Sequence, residues 1–418
     1  MNAPKSSRPG ALTKGGATGV GVASFVAAGA GYGVILLAAR ALDPARNADF
    51  LAFWSLLFAL FGVLAGVQNE TTRSVRNAFG QGSPARPGAR VLPLALAIGA
   101  VLGALLAATA PLWFAPVLGG GDRVLVAALA FAALAFSGHT AVAGALGGAG
   151  RWPSYSVLVG SEASMRLVLV GAVALVGASA AGLEVAAASA AGTWLVVVAA
   201  SPSARSAARA RADVPVMAFL RRTGHSMVAA ASSAALVVGF PVLLRLTSSD
   251  AVYAASAPLL LAVSLTRAPL LIPLGAYQGV AITYFLSHRE HGLGALRKVA
   301  LAILGIGVLG AGLAYVVGPW LMSALFGPDY RVSGLLLAGL TLAAALLALL
   351  TLTGAAVLAL DHHVAYSTGW IAATATSVAV LLTPLPLEVR SITSLVIGPL
   401  VGVVVHAIAV SRAPIEGH

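Results

Sequence analysis

Twelve runs of apolar residues, each long enough to cross a bilayer, take up most of this chain. A helix needs about 20 such residues to span roughly 30 Å of hydrocarbon. The runs cover about 18–39, 48–68, 91–115, 124–148, 154–178, 182–201, 226–246, 252–286, 299–323, 333–359, 364–384 and 391–411. Helix breakers and turn residues separate several of them: Asp43-Pro44, Gly119-Gly120-Gly121-Asp122, Gly327-Pro328-Asp329 and Pro384-Leu385-Pro386. Lipid offers no partner to backbone N–H and C=O groups, so runs of this length fold as helices. The expected fold class is an all-α polytopic membrane protein of about twelve transmembrane helices. Only 9% of the residues are charged, against about 25% in a soluble domain. The longest polar stretches, 69–90 and 202–225, read as loops or surface helices.

Charge sets the orientation. The chain has 25 Lys+Arg against 13 Asp+Glu, a net +12. With the N-terminus inside, 17 basic residues fall on one face, among them Lys5, Arg8, Lys14, Arg73, Arg151, Arg205, Arg209 and Arg211. Six fall on the other (Arg40, Arg46, Arg123, Arg245, Arg331 and Arg390), and Arg166 and Arg267 lie within runs. This bias predicts both termini in the cytoplasm. Basic loops also meet anionic headgroups, which makes membrane lipids expected partners. No basic patch interleaves with aromatic residues, so nucleic acid is not expected. Lys5, Arg8 and Lys14 precede an apolar run longer than the roughly 7–15 residues of a signal peptide, which reads as a retained first span. The absence of cysteine excludes disulfide and thiolate chemistry.

The two halves share landmarks. At an offset of 207 residues Asp43 falls on Asp250, Trp113 on Trp320, Leu118 on Leu325, Gly120 on Gly327 and Asp122 on Asp329; at 211, Tyr155-Ser156 falls on Tyr366-Ser367. These positions recur at the same places in the helix order. They predict two parallel six-helix bundles related by an internal repeat, an arrangement known in transporters. The expected division is 1–203 for the first bundle, 204–225 for a cytoplasmic basic linker and 226–418 for the second bundle.

Four local patterns carry a resemblance. Ala39-Arg40-Ala41-Leu42-Asp43-Pro44 leads into Phe50-Leu51-Ala52-Phe53, and Gly148-Ala149-Gly150-Arg151-Trp152 leads into the helix of Glu162 and Arg166. The others are Leu325-Phe326-Gly327-Pro328-Asp329-Tyr330 and Ser264-Leu265-Thr266-Arg267-Ala268-Pro269. With these the chain resembles the Wzx-type polysaccharide flippases of the multidrug/oligosaccharidyl-lipid/polysaccharide exporter superfamily. It departs at Ile282-Thr283-Tyr284, where a proline is expected late in the eighth run. The resemblance implies a bacterial inner-membrane transporter that moves a polyprenyl-pyrophosphate-linked oligosaccharide outward by alternating access. The polyprenyl-linked glycan is then the cargo, and polysaccharide assembly machinery a partner.

The charges inside the runs are the candidate sites. Glu162 and Arg166 are four apart, hence on one helix face. Arg166 lies about 18 Å into its helix, where a charge costs at least about 2.5–3.5 kcal/mol. As a cavity wall, Arg166 receives phosphate or sugar while Glu162 tunes it or carries a proton; as a structural pair, the two lock the fifth helix to its neighbours. Arg267 sits near the centre of the eighth run, followed by Pro269 and Pro273. It either grips a pyrophosphate, which suits the guanidinium fork, or satisfies carbonyls freed at a kink. The expected anion site has Arg166 and Arg267 as its two sides. Asn69, Glu70 and Arg73 close the second run as a headgroup gate or an ordinary polar helix end. His139 joins Glu162 as a candidate for ion coupling. Asp361-His362-His363 lacks further ligands for a metal, and His406 reads as structural.

No catalytic residue and no cofactor is expected. The chain has no Gly-x-x-x-x-Gly-Lys-Ser/Thr, His-Glu-x-x-His or Gly-x-Ser-x-Gly, so it reads as a non-enzyme. A multidrug or small-solute exporter of the same superfamily is the alternative. An exporter of cations calls for an acidic cavity, whereas the deep charges count two arginines and one glutamate. A membrane glycosyltransferase or polymer ligase calls for a large outer loop, and none is present. A non-transporting assembly scaffold stays open.

Overall fold

A computed structural model describes residues 14–80, 88–177, 179–270, 293–360 and 362–412. These residues are helical almost throughout. The first half holds α1 (Lys14–Ala41), α2 (Pro44–Gly80), α3 (Val91–Leu118), α4 (Val124–Gly148), α5 (Trp152–Gly177), α6 (Ala180–Ser189), α7 (Trp194–Ala200) and α8 (Pro202–Ala208). The second holds α9 (Val216–Val237), α10 (Phe240–Leu246), α11 (Asp250–Ala254), α12 (Ala257–Leu270), α13 (Leu293–Phe326), α14 (Gly334–Ala359), α15 (His363–Leu381) and α16 (Leu387–Arg412).

Among the described residues ten helical segments are long and apolar enough to cross a membrane. The bent pair α9–α10 adds an eleventh, and the shorter apolar α12 ends where the described residues end. The chain is therefore a multi-pass membrane protein. Three runs depart from the straight spans expected. The sixth is interrupted by a 3₁₀ turn at Ala190–Gly192. The seventh begins earlier, at Val216, and bends by 71° between α9 and α10. The eighth does not run unbroken from 252: α11 stops at Ala254, and α12 starts afresh at Ala257. The rest of that run, with Pro273 and Ile282-Thr283-Tyr284, lies outside the described residues, as do Lys5, Arg8 and Asp361.

The chain forms two compact units, Met1–Ala38 with Leu56–Ala231, and Ala39–Ser55 with Ser232–His418. Each repeats one packing scheme. In the first, α3 packs on α4, α5 on α6, and α4 on α6; in the second, α13 packs on α14, α15 on α16, and α14 on α16. The landmarks follow: Gly120 and Gly327, 207 residues apart, both take positive φ (75° and 116°) just beyond α3 and α13. Asp43 accepts a hydrogen bond from Arg46 N at 3.0 Å, opening α2.

The first unit's core gathers Leu64, Val67, Leu146, Leu158, Trp194 and Phe219; one cluster of the second gathers Leu236, Leu347, Leu350, Trp370 and Ala373. Small residues let the helices approach closely. A Cβ on Gly369 would sit 2.2 Å from His406 Nε2, so α15 and α16 cross there only with glycine. Nearby, Ser377 Oγ donates to Ser394 O and Ser394 Oγ to Ser377 O, both at 3.0 Å.

Candidate functional site

In the first unit, α5 sets Glu162 and Arg166 one turn apart and buries both, at 6% and 5% exposure. Arg166 Nη2 donates to Glu162 Oε1. Its Nε donates to Ala187 O on α6 at 3.3 Å, three residues before the 3₁₀ turn. The guanidinium lies 4.9 Å from the Phe58 ring and 5.4 Å from the Phe61 ring, a cation–π arrangement with two neighbouring rings. The stack continues: Phe61 lies 3.7 Å from Phe136, and Phe136 lies 4.9 Å from the His139 ring. The structure thus joins Arg166, Glu162 and His139 through two phenylalanines. His139 is buried, and its Nδ1 has no hydrogen-bond partner among the described residues.

The count of one deep glutamate needs correction. Glu184, on α6, is also buried, at 4% exposure. A lone carboxylate five residues into an apolar helix was its signal, without a basic residue at helical spacing to draw attention.

The polar end of α2 is tied to the segment before α9. Arg73 donates twice to Glu70, Nε to Oε2 at 2.8 Å and Nη2 to Oε1 at 2.6 Å, and lies 3.6 Å from Asp213. Asp213 also accepts from Ser74 Oγ and, at 3.2 Å, from Asn77 Nδ2. Burial pushes the Asp213 carboxyl up. The Ser74 and Asn77 hydrogen bonds, the Arg73 charge and a backbone N–H outweigh that and hold it below its ordinary value. Alongside, Ala212 N donates to Ala89 O at 2.8 Å and Ala89 N to Val214 O at 3.1 Å, a short antiparallel pairing. Glu70 is buried and Asn69 exposed. Sequence reasoning missed Asp213, which lies 140 residues from Arg73 and signals nothing locally.

In the second unit Arg267 meets the break between α9 and α10. Val237 closes α9, so its carbonyl is left without a helical donor, and Pro241, which cannot continue that ladder, lies in the first turn of α10 beyond the bend. Arg267 Nη1 donates to Val237 O at 2.8 Å, with a longer 3.5 Å approach to Leu236 O. Ser55 Oγ donates to Val238 O at 2.7 Å. The Phe240 ring lies 5.9 Å from the guanidinium. Gly239 makes the corner, since a Cβ there would sit 2.2 Å from Ala235 O. The carbonyls that meet Arg267 among the described residues belong to the break between α9 and α10. Arg245 is buried too, paired with Asp250 at 2.9 Å and lying 4.9 Å from the Tyr253 ring.

The remaining candidates are quickly placed. His406 Nδ1 is 3.1 Å from Thr353 Oγ1 and Nε2 is 3.2 Å from Tyr366 O, so both ring nitrogens bind within the bundle. Among the described residues no three metal-ligating side chains converge. Two motifs of the resemblance meet: Arg40 donates to Ala324 O and Leu325 O, each at 2.6 Å.

This architecture is the fold of the MATE transporters of the MOP superfamily. An inward-facing multidrug resistance MATE family transporter superposes with a TM-score of 0.66 at 15% identity, covering 96% of each chain. A MOP superfamily transporter from Pyrococcus furiosus, described as having a binding pocket of reverse polarity that suggests a different function, gives 0.63 at 15% identity over 98% and 99% of the two chains. No family model matches the sequence. The chain belongs to one family with two Mycobacterium tuberculosis proteins, uncharacterized protein Rv1510 and uncharacterized protein Rv3630. It is 42% identical to the first over 407 residues (97% of this chain, 94% of the relative) and 42% identical to the second over 405 residues (96% and 94%).

Proposed function

We propose that this chain is a membrane transporter that carries a polyprenyl-pyrophosphate-linked oligosaccharide from the cytoplasmic to the outer leaflet by alternating access. The observation that carries this reading is an arginine at a helix break in the second unit. Arg267 is only partly buried and lies beside carbonyls at the end of α9, as the one charged residue of α12. Its fork has five N–H donors, and phosphate oxygens are its natural bidentate partner. Arg166 takes the supporting role in the first unit. Glu162 balances its charge and, with His139, supplies the protonation sites for coupling. The polar end of α2, with Asn69, Glu70 and Arg73, acts at the headgroup level. The machinery works in the bacterial inner membrane with both termini in the cytoplasm.

A small-solute or multidrug exporter is the second reading, favoured by fold neighbours described as multidrug resistance transporters. One experiment separates the two. The full chain is reconstituted in liposomes, and transbilayer movement of a polyprenyl-pyrophosphate oligosaccharide is followed beside uptake of a lipophilic cationic dye. Glycolipid movement that falls about 10–100-fold in Arg267→Gln supports the proposal, the range expected for one lost charge-assisted hydrogen-bond site. Dye transport without glycolipid movement overturns it.

A further inference from the structure

Outside the sites above, the first unit carries a cavity of about 390 Å³ between the ends of α2 and α4, the α8 helix and the residues that follow it. Val75, Phe79, Ala145 and Ala207 form apolar walls, and Arg151, Arg209 and Arg211 line the rest with no carboxylate among the lining residues. Two of the arginines are held in place by backbone oxygens. Arg151 Nη1 donates to Ser203 O at 3.1 Å, and Arg211 Nη1 donates to Gly88 O at 3.0 Å. Arg209 and Arg211 are exposed, and Phe79 is 58% exposed at the very end of α2. Two other arginines of this unit are matched by carboxylates, Arg73 by Glu70 and Asp213, and Arg166 by Glu162. These three arginines have no carboxylate partner among the described residues.

We infer that this cavity binds the phosphate of an anionic phospholipid headgroup. Its size is at the small end for ligand sites, which run from about 300 to 1,000 Å³. That suits a headgroup better than a whole amphiphile. Three guanidiniums face a phosphate diester, while Phe79 and the alanine walls receive the glycerol and upper acyl carbons. The cavity opens at the span ends that collect the basic residues, where basic clusters between transmembrane helices meet anionic lipid. The inference is independent of the cargo proposed above.

The test uses the full chain in detergent, titrated with phosphatidylglycerol, with phosphatidylcholine and with inorganic phosphate, bound species being counted by native mass spectrometry. Arg209→Gln is the informative variant, because no described hydrogen bond within the protein depends on its side chain; a matched melting curve confirms that it folds. Phosphatidylglycerol should bind at least about fivefold tighter than phosphatidylcholine, and Arg209→Gln should lower that preference about fivefold. Equal binding of the two lipids, or a preference untouched by Arg209→Gln, overturns the inference. Binding of inorganic phosphate that Arg209→Gln abolishes, with no lipid preference, overturns the lipid assignment and leaves a site for free phosphate.

Discussion

Replacing Arg267 by Met tests whether this arginine is the missing donor of the broken seventh span. The substitution keeps the length and apolar stem but leaves Val237 O without the 2.8 Å donor that answers it. A buried acceptor so orphaned costs about 1–3 kcal/mol, although hydrogen bonds between membrane helices average nearer 0.6. Loss of the Phe240 contact adds about 0.5–1 kcal/mol. A total near 2 kcal/mol is expected, read as a shift in reversible unfolding of the purified chain in mixed micelles. The decisive element is the second background. Pro241→Ala removes the residue that bars α9 from continuing into α10, and a continued helix supplies Val237 O with its own donor four residues on. Arg267→Met should then cost at least about 1 kcal/mol less in Pro241→Ala than in the parent, a coupling well above the roughly 0.3–0.5 kcal/mol within which independent sites add. Equal costs in both backgrounds refute the reasoning, because Arg267 would then stabilise the fold through something other than the carbonyl that Pro241 deprives.

Two further outcomes follow from the first unit. Glu162→Ala strands the Arg166 guanidinium in a buried site and should destabilise the chain by about 3–5 kcal/mol, whereas the double change Glu162→Leu with Arg166→Met should be close to neutral in the same unfolding assay; a double variant as damaged as the single one means the pair does more than neutralise itself. Asp213 titrates below its ordinary value in the folded chain. Its tie to Ser74, Asn77 and Arg73 therefore adds stability that is full above the unfolded value of about 3.9 and is lost as pH falls through the lower folded value. Asp213→Asn should flatten the acid limb of a melting-temperature profile, and an unchanged limb shows that other carboxylates set it.

The fold was legible because its signals are local. An apolar run of bilayer length leaves the backbone one solution, and Asp43, Gly120 and Gly327 mark helix boundaries by chemistry that needs no distant partner. The Glu162–Arg166 pair was legible for the same reason, being one helical turn long. The 71° bend had its signal in Gly239-Phe240-Pro241, which hydropathy alone passes over. Likewise Pro258, which has no N–H to offer Ala254 O, marks the break of the eighth span at Ala255-Ser256. The partners of the charges were not legible. Asp213 meets α2, and Arg267 meets the end of α9, through packing that brings together residues far apart in the chain.

A common geometry links three arginines of the second unit. Arg40 donates to Ala324 O and Leu325 O in the last turn of α13, Arg390 donates to Leu381 O at the end of α15, and Arg267 donates to Val237 O at the end of α9. Each helix end presents carbonyls without helical donors and the negative pole of its dipole. Near or within lipid, water is a poor substitute, so a guanidinium supplied from another helix fills the need. Two of these, Arg40 and Arg390, belong to the six basic residues assigned by sequence to the outer face, and a third of that set, Arg245, is paired with Asp250. With Arg46, which lies 3.3 Å from Asp43, four of the six thus have a partner within the fold. Residues assigned to the inner face are engaged in the same way, Arg73 by Glu70 and Asp213, Arg151 by Ser203 O, Arg205 by Ala199 O and Arg211 by Gly88 O, so such ties occur in both sets and do not by themselves argue for an orientation. Among the deep arginines, Arg166 shares its site with the Glu162 carboxylate, while Arg267 meets carbonyls at the end of α9 and the Phe240 ring. Arg267 is also the more accessible of the two, and for that reason it rather than Arg166 is the residue on which the transport proposal rests.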